Sequence, residues 1–205
     1  MRKVWSVAVA AGVVLASAVA LHAERMDDES MAQWRFGIGI SYISGFADVI
    51  DYYESKPNME SLGGSVPIGL ALAPYYQFDH GSRIGVDLGP FAMVLGDVSY
   101  WDVPVALSYG FSFVPHGSVS PYVRVGVKHH FVGGDDVDKS TPGGFAAFGM
   151  EFMRKKFVAV QIEAGYDASE VTFSSTEYDG HSGHFVAADE TIKTGALIVS
   201  LRAAF

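Results

Sequence analysis

Cysteine is absent from the 205 residues. That excludes a disulfide scaffold, a cysteine zinc site, a thiol nucleophile and a lipid anchor on cysteine. Charge is scarce too: 18% of the chain is charged against 49% hydrophobic, a balance too apolar for disorder. Basic residues are the minority, 14 Lys and Arg against 23 Asp and Glu, for a formal charge of −9. No nucleic-acid partner is expected, because phosphate binding draws on a basic surface. Beyond the N-terminal run, no stretch of about 18 uninterrupted apolar residues occurs, so no spanning helix is predicted there. Glycine, at 23 residues, and aromatics, at 13%, dominate what remains and point to a β-type chain.

Arg2 and Lys3 precede an apolar and small-residue run from Val4 to Leu21, which ends at Leu21-His22-Ala23. A positive start, a short apolar core and a small residue at the cut are the pattern of a secretory signal peptide. Residues 1–23 are therefore predicted to be a signal peptide cut after Ala23, with Ala20 as the other possible site. An uncleaved anchor is disfavoured because the run is rich in Ala and is followed by acidic residues. Residues 24–33 are expected to form a short periplasmic segment.

From Trp34 to Phe205 apolar residues recur at every second position in eight segments. Trp34, Phe36, Ile38, Ile40 and Tyr42 open the series. Segments at about 67–78, 83–94, 101–113, 123–131, 146–152, 158–167 and 197–205 follow. This is the period of a strand with one apolar face. A soluble sandwich alternates too, but three features separate the cases. The segments run to about 10–15 residues, where a tilted strand needs ≈ 9–11 to cross a bilayer. Short turns alternate with long connections, and the apolar faces begin or end in aromatics, as interfacial girdles do. The predicted fold is all-β: an eight-stranded antiparallel transmembrane up-and-down β-barrel over residues 34–205. Short turns belong on the periplasmic side, so the basic turn Arg154-Lys155-Lys156 is expected in the periplasm. The acidic long loops at 44–66, 132–142 and 174–190 are expected outside.

Leu201-Arg202-Ala203-Ala204-Phe205, stopping on Phe, resembles the terminal signature of Gram-negative outer-membrane barrels. Tyr109–Phe111 followed by Ser120–Val127 resembles the fourth-to-fifth strand hairpin of the small members, including the OmpW group. Gly144–Glu151 is similar to their sixth strand. The OmpA N-terminal domain, OmpX and OmpW are the comparators, and no counterpart of full-length OmpA's periplasmic domain is expected after the last strand. The resemblance implies the cell outer membrane as location, outer-membrane lipid as surroundings, and Phe205 as a signal read by the barrel-assembly machinery, with periplasmic chaperones as further partners.

An eight-stranded barrel has an interior that side chains fill, or that holds one small ligand. Alternation turns Arg35, Arg83, Arg124, Lys128 and Arg202 inward, with Asp87, Asp102, Glu151, Glu163 and Asp167. Buried charges left unpaired are costly, so a lumen charge network is expected over Arg35, Asp87, Arg124, Lys128, Glu151, Glu163, Asp167 and Arg202. Within it, Arg124, Lys128 and Arg202 are expected to pair with Glu151, Glu163 and Asp167. The resulting function is a plugged structural or surface-interaction protein whose loops contact a host or envelope ligand. The alternative is a narrow channel, or a conduit of OmpW type for small ions or small apolar molecules. In the first loop Phe46, Val49, Ile50, Tyr52 and Tyr53 have near-helical spacing. They suit a short amphipathic helix or simple loop packing, with Phe46, Tyr52 and Tyr53 as surface-interaction candidates.

No enzyme, cofactor or metal is expected. His181-Ser182-Gly183-His184 invites comparison with the lipid A deacylase PagL, but lies in a loop without a strand-borne Ser/His pair or a fixed acid. His129 and His130 point to opposite faces of one strand, and only His130 enters the lumen. Gly133–Asp138 lacks the ligand spacing and closing Glu of a calcium loop.

Overall fold

The alternation at period two becomes eight long strands joined edge to edge. The computed structural model describes residues 32–55, 68–95, 99–154, 156–179, 184–193 and 197–205. The expected signal peptide and most of segment 24–33 lie outside the described residues. The elements are β1 (Gln33–Ile43), α1 (Ser44–Glu54), β2 (Ile68–Gln77), β3 (Ser82–Leu95), β4 (Ser99–Ser112) and β5 (Val119–Gly134). There follow β6 (Val137–Thr141), β7 (Gly143–Phe152), β8 (Ala159–Asp167), β9 (Glu170–Asp179), β10 (His184–Ile192) and β11 (Leu197–Ala204). Eight of these strands close a barrel in the order β1-β11-β8-β7-β5-β4-β3-β2. Closure joins the first strand to the last: Gly37 lies opposite Ala204, and Phe36 and Phe205 exchange two backbone hydrogen bonds of 3.0 and 3.1 Å.

The exterior is apolar. Trp34, Leu107, Val127 and Phe148 are 73%, 57%, 62% and 54% exposed, and comparable residues ring the barrel. In water so much exposed apolar surface would drive association; a bilayer solvates it. Aromatic pairs mark the rim, with Trp34 edge-on to Tyr76 at 5.4 Å and Phe111 to Phe113 at 5.7 Å. Inward positions carry the polar residues, and the short turns lie at the opposite end from α1 and β6.

Two features differ from the sequence-based expectation, and a third decides between two readings left open. Unbroken alternation through 83–94 puts Ala92 on the lipid face with Ile84, Val86 and Leu88, but Ala92 is buried and Met93 exposed. One extra residue in β3 causes the change: Leu88 faces Val105 while Ala92 faces Asp102. A bulge of this kind re-aims the side chains beyond it. It sits at Gly89, whose φ of +100° favours glycine and where a Cβ would meet the Leu70 carbonyl oxygen at 2.5 Å.

The long loops expected at 132–142 and 174–190 are largely strands. β6, β9 and β10 form a second sheet in the order β10-β9-β6, continuing the chain past the mouth. Val171 and Phe173 are fully buried beneath it and alternate with Glu170 and Thr172, a short β signal between the predicted segment ending at 167 and the loop expected from 174.

Finally, the first loop contains a real helix whose apolar side faces the barrel. Phe46, Val49, Ile50 and Tyr53 recur at the i, i+3, i+4, i+7 spacing of a helix face and are all buried. Ile43 at its N-cap gives no side-chain cap, so packing holds the helix in place.

Candidate functional site: the lumen and its cap

The polar faces of the eight strands meet inside the barrel as three layers of charge. Next to the short turns, Glu151 from β7 lies among three guanidiniums. Arg35 Nη1 is 3.6 Å away, Arg83 Nη1 3.4 Å and Arg154 Nε 3.5 Å. Gln161 donates to Glu151 at 3.2 Å and to the Tyr75 hydroxyl at 2.9 Å. The Arg83 guanidinium also lies over the Tyr122 ring, 3.6 Å from its centre, in cation–π contact. Gly149 leaves room for that ring, since a Cβ there would meet Tyr122 Cζ at 2.4 Å.

The central layer is tighter. Arg124 from β5 donates to both oxygens of Asp87 at 2.9 and 2.7 Å, and to both oxygens of Glu163 at 2.8 and 2.7 Å. Arg202 from β11 reaches Glu163 at 3.2 Å and Asp87 at 3.6 Å. Two cations and two anions from β3, β5, β8 and β11 thus span the lumen with bidentate, charge-assisted bonds.

In the outer layer Lys128 contacts Asp167 at 2.7 Å, and His130 bridges Asp102 at 2.7 Å and Asp167 at 3.2 Å. Ser169 satisfies the other Asp167 oxygen through its backbone N–H and its hydroxyl, at 2.9 and 2.7 Å. Voids between the layers are water-sized. One of ≈ 30 Å³ is bounded by Asp87, Arg124, Lys128, Glu163 and Arg202, and one of ≈ 10 Å³ lies between Arg83 and Arg124. Each has room for only one or a few waters.

Above these layers α1 closes the mouth. Val49 and Tyr53 are fully buried, and their cluster includes Phe46, Tyr52, Tyr100, Val171, Phe173 and Ile192. Tyr52 and Tyr53 sit 4.6 and 5.8 Å from Phe173 between ring centres. The Tyr53 hydroxyl donates to the Asp135 carbonyl at 2.6 Å, tying the helix to the β5–β6 turn. Burial, followed by the nearby charge of Asp136, pushes the Tyr53 pKa well above its usual value, so the phenol stays a donor.

All eight residues expected in the lumen network are buried there, but the pairing differs in one respect. Glu151 meets Arg35, Arg83 and Arg154, not Arg124. The register explains this: Arg124 faces Ala147 across the β5–β7 pair, whereas Glu151 faces Ser120, four residues nearer the turn. Arg154 belongs to the basic turn expected in the periplasm, yet its side chain is 0% exposed and folds into the barrel end, where Nη1 donates to the Pro115 carbonyl at 2.6 Å. No sequence pattern separates it from the turn lysines beside it. Phe46, Tyr52 and Tyr53, read as an exposed gripping surface, are instead buried in the cap. His181 to Gly183 lie outside the described residues. Among the described residues no group of three His, Cys, Asp or Glu is placed to hold a metal ion.

A closed antiparallel eight-stranded barrel with an apolar, aromatic-edged exterior and a charged interior defines a small β-barrel of the outer membrane. Solved structures share this fold. Outer membrane protein OprG from Pseudomonas aeruginosa is 11% identical with a TM-score of 0.57, over 85% of this chain and 95% of that one. Outer membrane protein AlkL is 15% identical with a TM-score of 0.52, over 88% and 92% respectively. No family model matches the sequence, and no curated protein matches it.

Proposed function

We propose that this outer-membrane barrel is a non-conducting structural and surface-interaction protein, its lumen plugged by ion pairs and its outer mouth capped by α1. The observation that carries the reading is the central layer. Arg124 binds Asp87 and Glu163 bidentately, so strands on opposite sides of the interior are joined across it. A solute crossing the lumen would have to separate these pairs, leaving buried charges uncompensated at several kcal/mol each. The aromatic cluster under α1 is a second barrier in series.

The interaction surface is then the outer face of the cap, where Asp48, Asp51, Asp135, Asp138, Asp189 and Glu190 are exposed. Its partners would be a host or envelope ligand. Outer-membrane lipid, periplasmic chaperones and the assembly machinery reading Phe205 complete the proposed set, and no catalytic step is part of it. Planar-bilayer recording on the refolded protein tests the plug: a silent bilayer is expected at moderate voltage. Reproducible solute-sized conductance would instead select the channel reading.

A further inference from the structure

His130 of β5 sits directly beneath the α1 cap, between two carboxylates. Its Nδ1 is 2.7 Å from Asp102 Oδ2, and its Nε2 is 3.2 Å from Asp167 Oδ2. The three residues are 3%, 5% and 0% exposed, so bulk water replaces neither contact. An ionised carboxylate only accepts hydrogen bonds, whereas a neutral imidazole has a single N–H to donate. Serving both carboxylates takes both ring protons, which makes His130 an imidazolium in the closed barrel.

Around the ring, β4 presents Asp102 with Tyr100 beside it, β8 presents Asp167, and β5 adds Lys128, 2.7 Å from Asp167. Among the described residues, β3, β11 and α1 turn apolar side chains toward it: Pro90 and Ala92, Ile198, and Phe46 and Val49. Asp87 lies one layer deeper, bordering the next void with Lys128 and Asp167. Asp167 keeps other donors, the Ser169 N–H and hydroxyl. For Asp102, His130 is the one cation within salt-bridge distance among the described residues.

These contacts join the roots of the elements packed under α1. Asp102 is two residues from Tyr100, whose ring lies 6.2 Å from Phe46 and 6.3 Å from Tyr53. Asp167 and Ser169 flank the β8–β9 turn, from which β9 carries Val171 and Phe173 beneath the helix. The His130 carbonyl accepts from the Ser140 hydroxyl of β6. Removing one ring proton turns a nitrogen lone pair toward a carboxylate oxygen and leaves a buried anion without its donor, which is costly. The void between His130 and α1 is ≈ 10 Å³, room for about one water and too little to hydrate that anion. Further water enters only from the mouth, by displacing the cap.

We infer that doubly protonated His130 is the latch that holds the α1 cap on the barrel mouth, and that loss of one ring proton in alkali releases it. The contribution of an imidazolium paired with carboxylates is present while the ring holds both protons and is lost as the pH rises. The cap is therefore shut at neutral pH and opens above it. The latch lies outside the central layer, so it operates whether or not that layer plugs the lumen.

The test is the reactivity of a Val49→Cys thiol, on the buried underside of α1, in the refolded full chain. Dividing its rate by that of the exposed Lys139→Cys thiol at each pH removes the titration of the thiol itself. Between about pH 6, below the ordinary histidine pKa, and about pH 10 the ratio should rise at least about tenfold. In the same background His130→Gln, whose one amide nitrogen cannot serve both carboxylates, should give the high ratio at every pH. Asp102→Asn should keep the ratio low in alkali, because a neutral imidazole then accepts from the Asn amide and donates to Asp167; general destabilisation gives the opposite. A Ser108→Cys thiol reports on the central layer separately, so failure of the plug and failure of the latch give different patterns. ¹⁵N NMR of the cysteine-free chain needs no cysteine variant: both His130 ring nitrogens should be protonated at neutral pH, and one should lose its proton across the same step. A flat Val49→Cys ratio, a step that survives in His130→Gln, or a singly protonated His130 ring at neutral pH would each overturn the latch.

Discussion

Replacing Glu163 by Gln removes one negative charge from the middle of the barrel with almost no change in volume. In the wild-type chain Glu163 accepts from Arg124 at 2.8 and 2.7 Å and from Arg202 at 3.2 Å. After the change both guanidiniums depend on Asp87, which lies 2.7 Å from Arg124 and 3.6 Å from Arg202. Two buried cations then share one anion. Removing one partner of a buried ion pair typically costs about 3–5 kcal/mol. The Gln carbonyl still accepts one bond, which places the expected loss near ~3 kcal/mol. Adding Arg202→Gln restores neutrality in the layer and should recover ~1–2 kcal/mol, within the range seen for directly coupled residues. Urea unfolding of both single variants and the double variant, refolded in the same detergent, gives the coupling term. Strict additivity would refute the claim that these residues form one network.

Further outcomes follow from the cap and the wall. Phe173→Ala should lose ~3–5 kcal/mol of equilibrium stability if the cap unfolds with the barrel, or appear as a separate early transition by hydrogen exchange at α1 if it does not. Tyr53→Phe keeps the ring packing and removes the bond to Asp135, so a loss of about 1 kcal/mol is expected in the same assay. Val125→Arg places a charge on an outward position that is 54% exposed; in lipid vesicles it should cost about 2–4 kcal/mol if Val125 lies near the bilayer midplane. Gly89→Val should lower the unfolding midpoint, because it strains a φ of +100° and meets the Leu70 carbonyl.

The barrel was legible in the sequence because its rule is local and repeated. Each strand has one lipid face and one lumen face, so parity alone assigned Arg124, Glu163 and Arg202 to the interior. Pairing within the lumen was less legible, since it depends on strand register and shear. Glu151 is in phase with Arg124 but four residues away along the β5–β7 ladder. Parity also fails at a bulge, and one extra residue near Gly89 reversed the faces of Ala92 and Met93. The helical spacing of α1 was visible, but its direction was not. Phe46, Tyr52 and Tyr53 become a buried cap through contact with Tyr100 and Phe173, partners far away in the chain. Arg154 lay in a basic turn, and nothing local distinguishes this inward-folding guanidinium from Lys156, which is exposed.

The absence of native cysteine makes the central claim open to direct measurement. Ser108 lines the lumen beside Arg124, at 3.4 Å, and is 5% exposed. Lys139, on the outer sheet, has a side chain that is 67% exposed. In the refolded barrel a Lys139→Cys thiol should react with a charged, membrane-impermeant thiosulfonate reagent at the rate of a surface cysteine. A Ser108→Cys thiol should stay unmodified from either side of the membrane until the protein is unfolded. Modification of Ser108→Cys at a rate comparable to Lys139→Cys would mean that the lumen is open to solvent, and would contradict the plug.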